Sequence, residues 1–165
     1  MTETGLEFRA LYREHAPTVR RLLARLLPAS EVDDGVQEVF LRIYRHRQKF
    51  RGEALLTTWI YQITVHCAHD LYRRQRWRRW LQLGASYTEE RPHTEDAKGQ
   101  EEAERVHKAM QQLSFQDRTI LALFYWEEFR LEEISKSLDI PLGTAKSRLS
   151  LARKRLKVYL KEDSP

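Results

Sequence analysis

Residues 143–160 read GTAKSRLSLARKRLKVYL and carry six cations, Lys146, Arg148, Arg153, Lys154, Arg155 and Lys157, with no carboxylate among them. On a helical wheel Ala145, Leu149, Ala152, Leu156 and Tyr159 share one face, at successive spacings of 4, 3, 4 and 3 residues. The cations spread over the rest, with Ser147, Lys154 and Lys157 opposite the apolar stripe. Just upstream, LEEISKSL (131–138) sets Leu131, Ile134 and Leu138 on one face, and DIPL (139–142) separates the two segments. Two short amphipathic helices about a tight turn predict a helix-turn-helix. In that motif the second helix enters the DNA major groove, flanked by phosphates. Phosphate then relieves the repulsion among the cations, and counterion release makes binding steeply salt dependent. A solvated basic helix, or one docked on an acidic protein, is the alternative. The paired helix, the turn with Pro141 and Gly143, and the one-sided charge favour DNA.

The rest of the 165 residues fit that reading. Charged residues make up 32% and hydrophobic residues 41%, a balance suited to small helical units with large surfaces. Gly and Pro are sparse and few runs alternate with period 2, so the expected fold class is all-α. Charge is distributed in blocks. Residues 1–81 carry 15 Lys/Arg against 9 Asp/Glu, residues 82–104 carry 2 against 7, and residues 105–165 carry 12 against 8. Two basic blocks around an acidic one predict two small helical domains, 1–81 and 105–165, joined by a flexible acidic linker over 82–104. Cys67 is the only cysteine, which excludes an intramolecular disulfide framework. MTETGLEF lacks the basic start and apolar run of a secretory leader, and no apolar stretch reaches membrane-spanning length. A cytoplasmic location without membrane insertion is expected.

Periodicity places a first helix over about 6–27, ending before Pro28. In the next, Val36, Val39, Phe40 and Ile43 form a stripe at i, i+3, i+4 and i+7. KFRGEALL (49–56) reads as a loop. A third helix starts near Thr57 or Thr58 and runs through Trp59, Ile60, Ile63 and Cys67 to about Trp80. Helix is expected to resume near Glu101. Ser114 followed by Asp117 resembles a capping box ahead of FQDRTILALFYW.

LYRRQRWRRW (71–80) holds five arginines and three aromatics, with Trp59, Tyr61 and Phe50 upstream. Arginine serves phosphate, and aromatic faces stack on unpaired bases for about 1–3 kcal/mol per base. Each aromatic taken singly reads more readily as core. The arginine cluster reads as a nucleic-acid surface.

DDGVQEVFLRIYRHRQKFRGEALLTTWIYQITVHCAHDLYRR resembles region 2 of bacterial RNA polymerase sigma factors. LSFQDRTILALFYWEEFRLEEISKSLDIPLGTAKSRLSLARKRLKVYL resembles region 4. Both regions joined by a short linker resemble the extracytoplasmic-function (ECF) subfamily of the sigma-70 family. The resemblance implies promoter-specific transcription initiation without catalysis and without a cofactor. It implies that region 2 binds the clamp helices of the largest polymerase subunit through Asp34, Gln37, Glu38 and Leu41. It further implies capture of the melted −10 element by the loop from Lys49 to Leu56 and the following helix, with Phe50, Trp59, His66, Arg73, Arg74 and Arg76 as contacts. Region 4 then binds the flap of the second-largest subunit and reads the −35 duplex through Thr144, Lys146, Ser147, Arg148, Ser150 and Arg153. An anti-sigma factor, membrane-anchored in many such systems, is the remaining implied partner.

The sequence departs from the family pattern in places. Gly35 stands where Leu is usual and weakens its helix by about 1 kcal/mol relative to Ala. His66 replaces a usual Asn and brings a titratable ring. Leu151 lies in a region often basic and faces the outer half of the wheel, where a thymine methyl or protein is its partner. Arg130 occupies the position of a capping Ser or Thr. HCAHD (66–70) offers His66, Cys67, His69 and Asp70 within about one turn, yet a structural metal site needs about four convergent ligands, and Cys67 falls on the apolar stripe. Two competing readings are a stand-alone helix-turn-helix regulator and a metal-dependent enzyme centred on 66–70. The first leaves DDGVQEVFLRIY and the arginine–tryptophan segment without a role.

Overall fold

The computed structural model describes residues 3–50, 56–81 and 97–162. Among them are seven α-helices, one short 3-10 turn and no strand: α1 (Glu3–Leu26), α2 (Ala29–His46), the 3-10 turn Arg47–Lys49, α3 (Leu56–Leu81), α4 (Ala97–Gln112), α5 (Phe115–Tyr125), α6 (Leu131–Leu138) and α7 (Leu142–Glu162). The all-α expectation holds. The chain divides into two compact units, Met1–Glu89 and Glu90–Pro165. The loop expected over 49–56 overlaps the end of the 3-10 turn, and its residues 51–55 lie outside the described residues. Of the expected linker, 97–104 belong to α4 and 82–96 lie outside the described residues.

In the first unit α1, α2 and α3 pack against one another. The α2 stripe is buried as expected, with Val36, Val39, Phe40 and Ile43 joined by Val32. Facing it are Val19, Leu22, Leu23, Leu26 and Leu27 of the α1 segment, and Ile60, Tyr61, Val65, Ala68 and Leu71 of α3. The buried face of α3 is rotated from the expected one. Ile63 sits at its edge, and Thr64 is fully buried at its centre. The Thr64 hydroxyl donates to the Ile60 carbonyl at 2.8 Å, which removes the cost of burying it.

At Gly35 side chains of α1 and α3, with that of Leu27, crowd onto α2. It is buried in α2, and a methyl built on it would lie 3.1 Å from Leu23 Cδ1, 3.4 Å from Leu71 Cδ1 and 3.5 Å from Leu27 Cδ1. The glycine therefore trades local helix propensity for close packing of α1 and α3 around α2.

The second unit is organised around α7, which packs on α4, α5 and α6. Its core includes Ala109, Met110 and Leu113, Phe115 and Ile120 to Leu123, Ile134, and Ala145, Leu149 and Ala152. Ser114 caps α5, accepting the Asp117 N–H at 3.1 Å. The helix α6 begins without a side-chain acceptor at Arg130. Instead the Arg130 backbone N–H donates to Glu133 Oε2 at 2.8 Å, so the capping box is half formed. At its other end Asp139 takes a left-handed conformation, φ 51°, and the Ile140 N–H returns to the Ser135 carbonyl at 3.0 Å. Pro141 then stops continuation, and α7 starts one residue later. This sharp turn fixes the direction of α7 relative to α6.

We predict that Gly35→Leu lowers the stability of the first unit by about 1–3 kcal/mol through overpacking. Chemical denaturation of the purified protein would show it as a lower midpoint for that unit, and an unchanged midpoint would contradict the close-packing role.

Candidate nucleic-acid interface

Three faces divide α7. The buried one carries Ala145, Leu149 and Ala152, with Leu156 and Tyr159 half-buried at its far end, as the wheel predicts. Lys146, Ser150, Arg153 and Lys157 share a second side at i, i+4, i+7 and i+11, all exposed. Thr144, Ser147, Arg148 and Leu151 share a third at i, i+3, i+4 and i+7, with Ser147 and Leu151 exposed and the other two half-buried. The six −35 candidates thus straddle the outward ridge of one rigid helix rather than forming one row.

Two of the six cations in 143–160 are engaged within the protein. Arg155 Nη1 donates to Asp117 Oδ2 at 2.5 Å, and the Asp117 side chain is only 6% exposed while that of Arg155 is 54% exposed. The carboxylate expected to complete the α5 cap therefore turns to α7 and ties the two helices together. Arg153 lies over the rings of Phe124 and Tyr125, 4.9 and 5.4 Å from their centroids. That contact holds the guanidinium beside the rings without cancelling its charge. Lys146, Arg148, Lys154 and Lys157 form no ion pair among the described residues. At the far end Arg105 of α4 donates to the Leu160 carbonyl at 3.1 Å, satisfying a last-turn acceptor of α7.

In the first unit the −10 candidates lie along α3 and just before it. Phe50 follows the 3-10 turn, its N–H donating to the Arg47 carbonyl at 3.3 Å. Its ring packs on Trp59 at 5.2 Å between centroids and an interplanar angle of 40°, and both are half-buried. Trp59, exposed His66 and exposed Arg73 recur every seven residues and share one side of α3, a run of roughly 21 Å at 1.5 Å per residue. Arg74 and Arg76 are exposed to either side of that row. Trp77 continues it and is 62% exposed, an aromatic that is not among the −10 contacts expected from the sequence. Its signal was present in the Arg/Trp alternation of 71–80. Arg79 and Trp80 have side chains outside the described residues.

The candidates on α2 are not equivalent. Asp34 and Gln37 are exposed, and Leu41 is 49% exposed. Glu38, expected with them on the clamp-facing surface, is engaged within the protein. It accepts from Arg42 Nε at 2.9 Å, and Arg42 Nη1 also donates to Asp70 Oδ2 at 2.9 Å. Burial pulls the Arg42 guanidinium down, but the bonds to Glu38 and Asp70 outweigh it and leave its pKa raised. This bridge locks α2 to α3 behind the exposed face.

Cys67 is fully buried and points at the Gly35 carbonyl, 3.9 Å away, whereas His66 is exposed and His69 half-buried. The residues of HCAHD therefore diverge around α3, and no group of three or more His, Cys, Asp or Glu converges among the described residues. Burial pushes the Cys67 thiol up to about 11.

Known proteins share this arrangement. The sigma-70 region 2 family matches residues 11–78, and the sigma-70 region 4 family matches residues 103–156. The ECF RNA polymerase sigma-E factor of Haemophilus influenzae is 30% identical over 160 residues, covering 90% of this chain and 85% of that protein. The ECF RNA polymerase sigma factor SigL of Mycobacterium tuberculosis is 29% identical over 157 residues, covering 93% and 89%. In structure the chain is similar to the sigma factor RpoE of Bartonella quintana, solved with the anti-sigma factor NepR, at a TM-score of 0.75 and 23% identity over 96% of this chain and 99% of that one. It is also similar to CnrH, solved with the cytosolic domain of CnrY, at a TM-score of 0.70 and 22% identity over 95% and 89%. A two-unit helical protein with a basic helix-turn-helix is the class defined by these features. The chain belongs to the ECF family of RNA polymerase sigma factors. Its function is promoter-directed initiation of transcription through RNA polymerase.

Because the neutral Cys67 thiol is the buried form, its contribution to stability is complete below about pH 8.5 and is lost as pH rises through about 11. We predict that iodoacetamide at pH 8 alkylates the native protein far more slowly than the urea-unfolded chain. Equal labelling rates, followed by mass spectrometry, would contradict the burial.

Proposed function

We propose that the two units divide promoter recognition between them. The unit built on α1–α3 (region 2, residues 1–81) docks on the clamp helices of the largest polymerase subunit and takes up the melted −10 strand. The unit built on α4–α7 (region 4, residues 105–165) reads the −35 duplex and meets the flap of the second-largest subunit. The acidic segment 82–104, whose last eight residues begin α4, links the two. The observation that carries this reading is α7: an apolar face anchors it while its other faces keep four cations with no ion pair among the described residues. In a major groove, phosphates on both walls supply the missing counter-charge.

Roles follow for the individual residues. Thr144, Lys146, Ser147, Arg148 and Ser150 meet base edges or phosphates, with Arg153 held on its two aromatic rings beside the backbone. Along α3, arginines Arg73, Arg74 and Arg76 meet phosphate, while the Phe50–Trp59 ring pair and His66 meet an unstacked base. On α2, Asp34, Gln37 and Leu41 contact the clamp, and Glu38 serves through Arg42. The protein works by binding and not by chemistry. Linkage through the polymerase raises the effective concentration of each unit at its element, so the free protein binds promoter DNA poorly. Its place is the bacterial cytoplasm, with the polymerase. An anti-sigma factor is a further proposed partner. Support comes from RpoE and CnrH, which were solved with NepR and with the cytosolic domain of CnrY. Anchoring of such a partner in the membrane would couple release to an envelope signal.

Arg148→Ala and Lys146→Ala are each expected to weaken holoenzyme binding to the −35 element by about 1–3 kcal/mol if they meet bases. Gel-shift titration of the holoenzyme measures this, and unchanged occupancy with both variants would contradict the −35 role of α7. The double variant Asp34→Ala/Gln37→Ala is expected to impair assembly with core polymerase while keeping its helical circular dichroism. Normal co-elution with core would contradict the clamp-face assignment.

A further inference from the structure

Leu151 is an apolar side chain placed where the charge argument calls for a polar one. It is 49% exposed, and it closes the row Thr144, Ser147, Arg148 and Leu151 on the outward side of α7. It is the tenth residue of the helix, about 14 Å from its start, within the half of a recognition helix that lies in the groove. The side chains around it set its depth. Ser147, one turn back, is short, and its hydroxyl is turned onto the helix, donating to the Thr144 carbonyl at 3.1 Å. Lys154, in the following turn, is long, exposed and unpaired among the described residues. A short residue before and a phosphate-seeking one after leave Leu151 as the exposed apolar side chain in the first half of that side of α7; the next one, Val158, lies seven residues further on.

The major groove offers one apolar group, the C5-methyl of thymine. We propose that Leu151 is a specificity-determining residue that packs on a thymine methyl in the −35 element. The proposal rests on the reading that α7 enters that groove. A leucine cannot hydrogen-bond guanine or accept from cytosine, so every other base at that position leaves a polar edge facing an alkyl chain. The chain is then expected to require thymine at one −35 position where a basic residue would accept guanine.

Uracil differs from thymine by that methyl alone, and so isolates the contact. A promoter is first selected from a random library with the holoenzyme. Each −35 thymine is then replaced singly by uracil, and binding of wild-type and Leu151→Ala holoenzymes is measured. The expected result is one thymine whose replacement weakens wild-type binding roughly fourfold, the worth of one methyl buried against an alkyl chain. The same replacement should leave the Leu151→Ala holoenzyme unchanged. Leu151→Ala should fold normally, because the side chain lies outside the core. A flat uracil scan for the wild type, or losses of equal size in both proteins, overturns the proposal. Footprinting of the same complexes separates the two levels. Protection of the −35 duplex with a flat scan rejects only the methyl contact, whereas absence of −35 protection rejects the placement of α7 as well.

Discussion

The ion pair between Asp117 and Arg155 shows how far this fold goes in neutralising its most basic helix. Six cations occupy residues 143–160, and Arg155 is the one that meets a carboxylate among the described residues. Asp117 is buried, so the pair also fixes α7 against α5. Arg153 is held on aromatic faces, which orient the charge without cancelling it. The unit thus keeps α7 in place with an apolar stripe and one bridge while the remaining charge stays available. Self-repulsion of that kind persists in a folded domain where the bound state supplies the counter-charge.

The first unit resolves a related conflict by different means. Its helices carry both arginines and carboxylates, and these pair in part: Arg42 of α2 bridges Glu38 of α2 and Asp70 of α3, Arg78 of α3 reaches Glu31 of α2 at 3.2 Å, and Arg20 of α1 pairs with Asp33 of α2. Arg73, Arg74 and Arg76 remain exposed on α3, as do Asp34 and Gln37 on α2. Internal bridges set the angle between the helices, and the residues outside the bridges define two surfaces of opposite character. One suits phosphate and the other suits a protein partner.

Much of this was legible in the sequence where the signal is local. The bounds of α6, the buried face of α7, the stripe of α2 and the Ser114 cap all follow from periodicity and capping chemistry. What escaped depends on contacts distant in sequence. Gly35 reads as a weak point in α2 until Leu23 and Leu71 are seen within reach of its missing methyl. Thr64 is a local exception, since its hydroxyl meets the carbonyl of Ile60 one turn back, a bond that periodicity does not read. Asp117 reads as a cap residue, and Glu38 as a free carboxylate, because a wheel cannot show Arg155 or the three-residue bridge through Arg42. The start of α4 was hidden by its composition, since its large apolar residues Val106 and Met110 fall in its second half. At the candidate site the residue types were readable and their division into separate faces was not.

Placement of α7 in the promoter groove is the claim on which the other assignments depend. Run-off transcription by core polymerase on a promoter library, with and without the protein, tests it most directly. The account predicts protein-dependent start sites that share an upstream duplex element near −35, whose recognition is lost when the cations of α7 are removed together. Start sites that are the same with and without the protein, or that survive that charge removal unchanged, would contradict it.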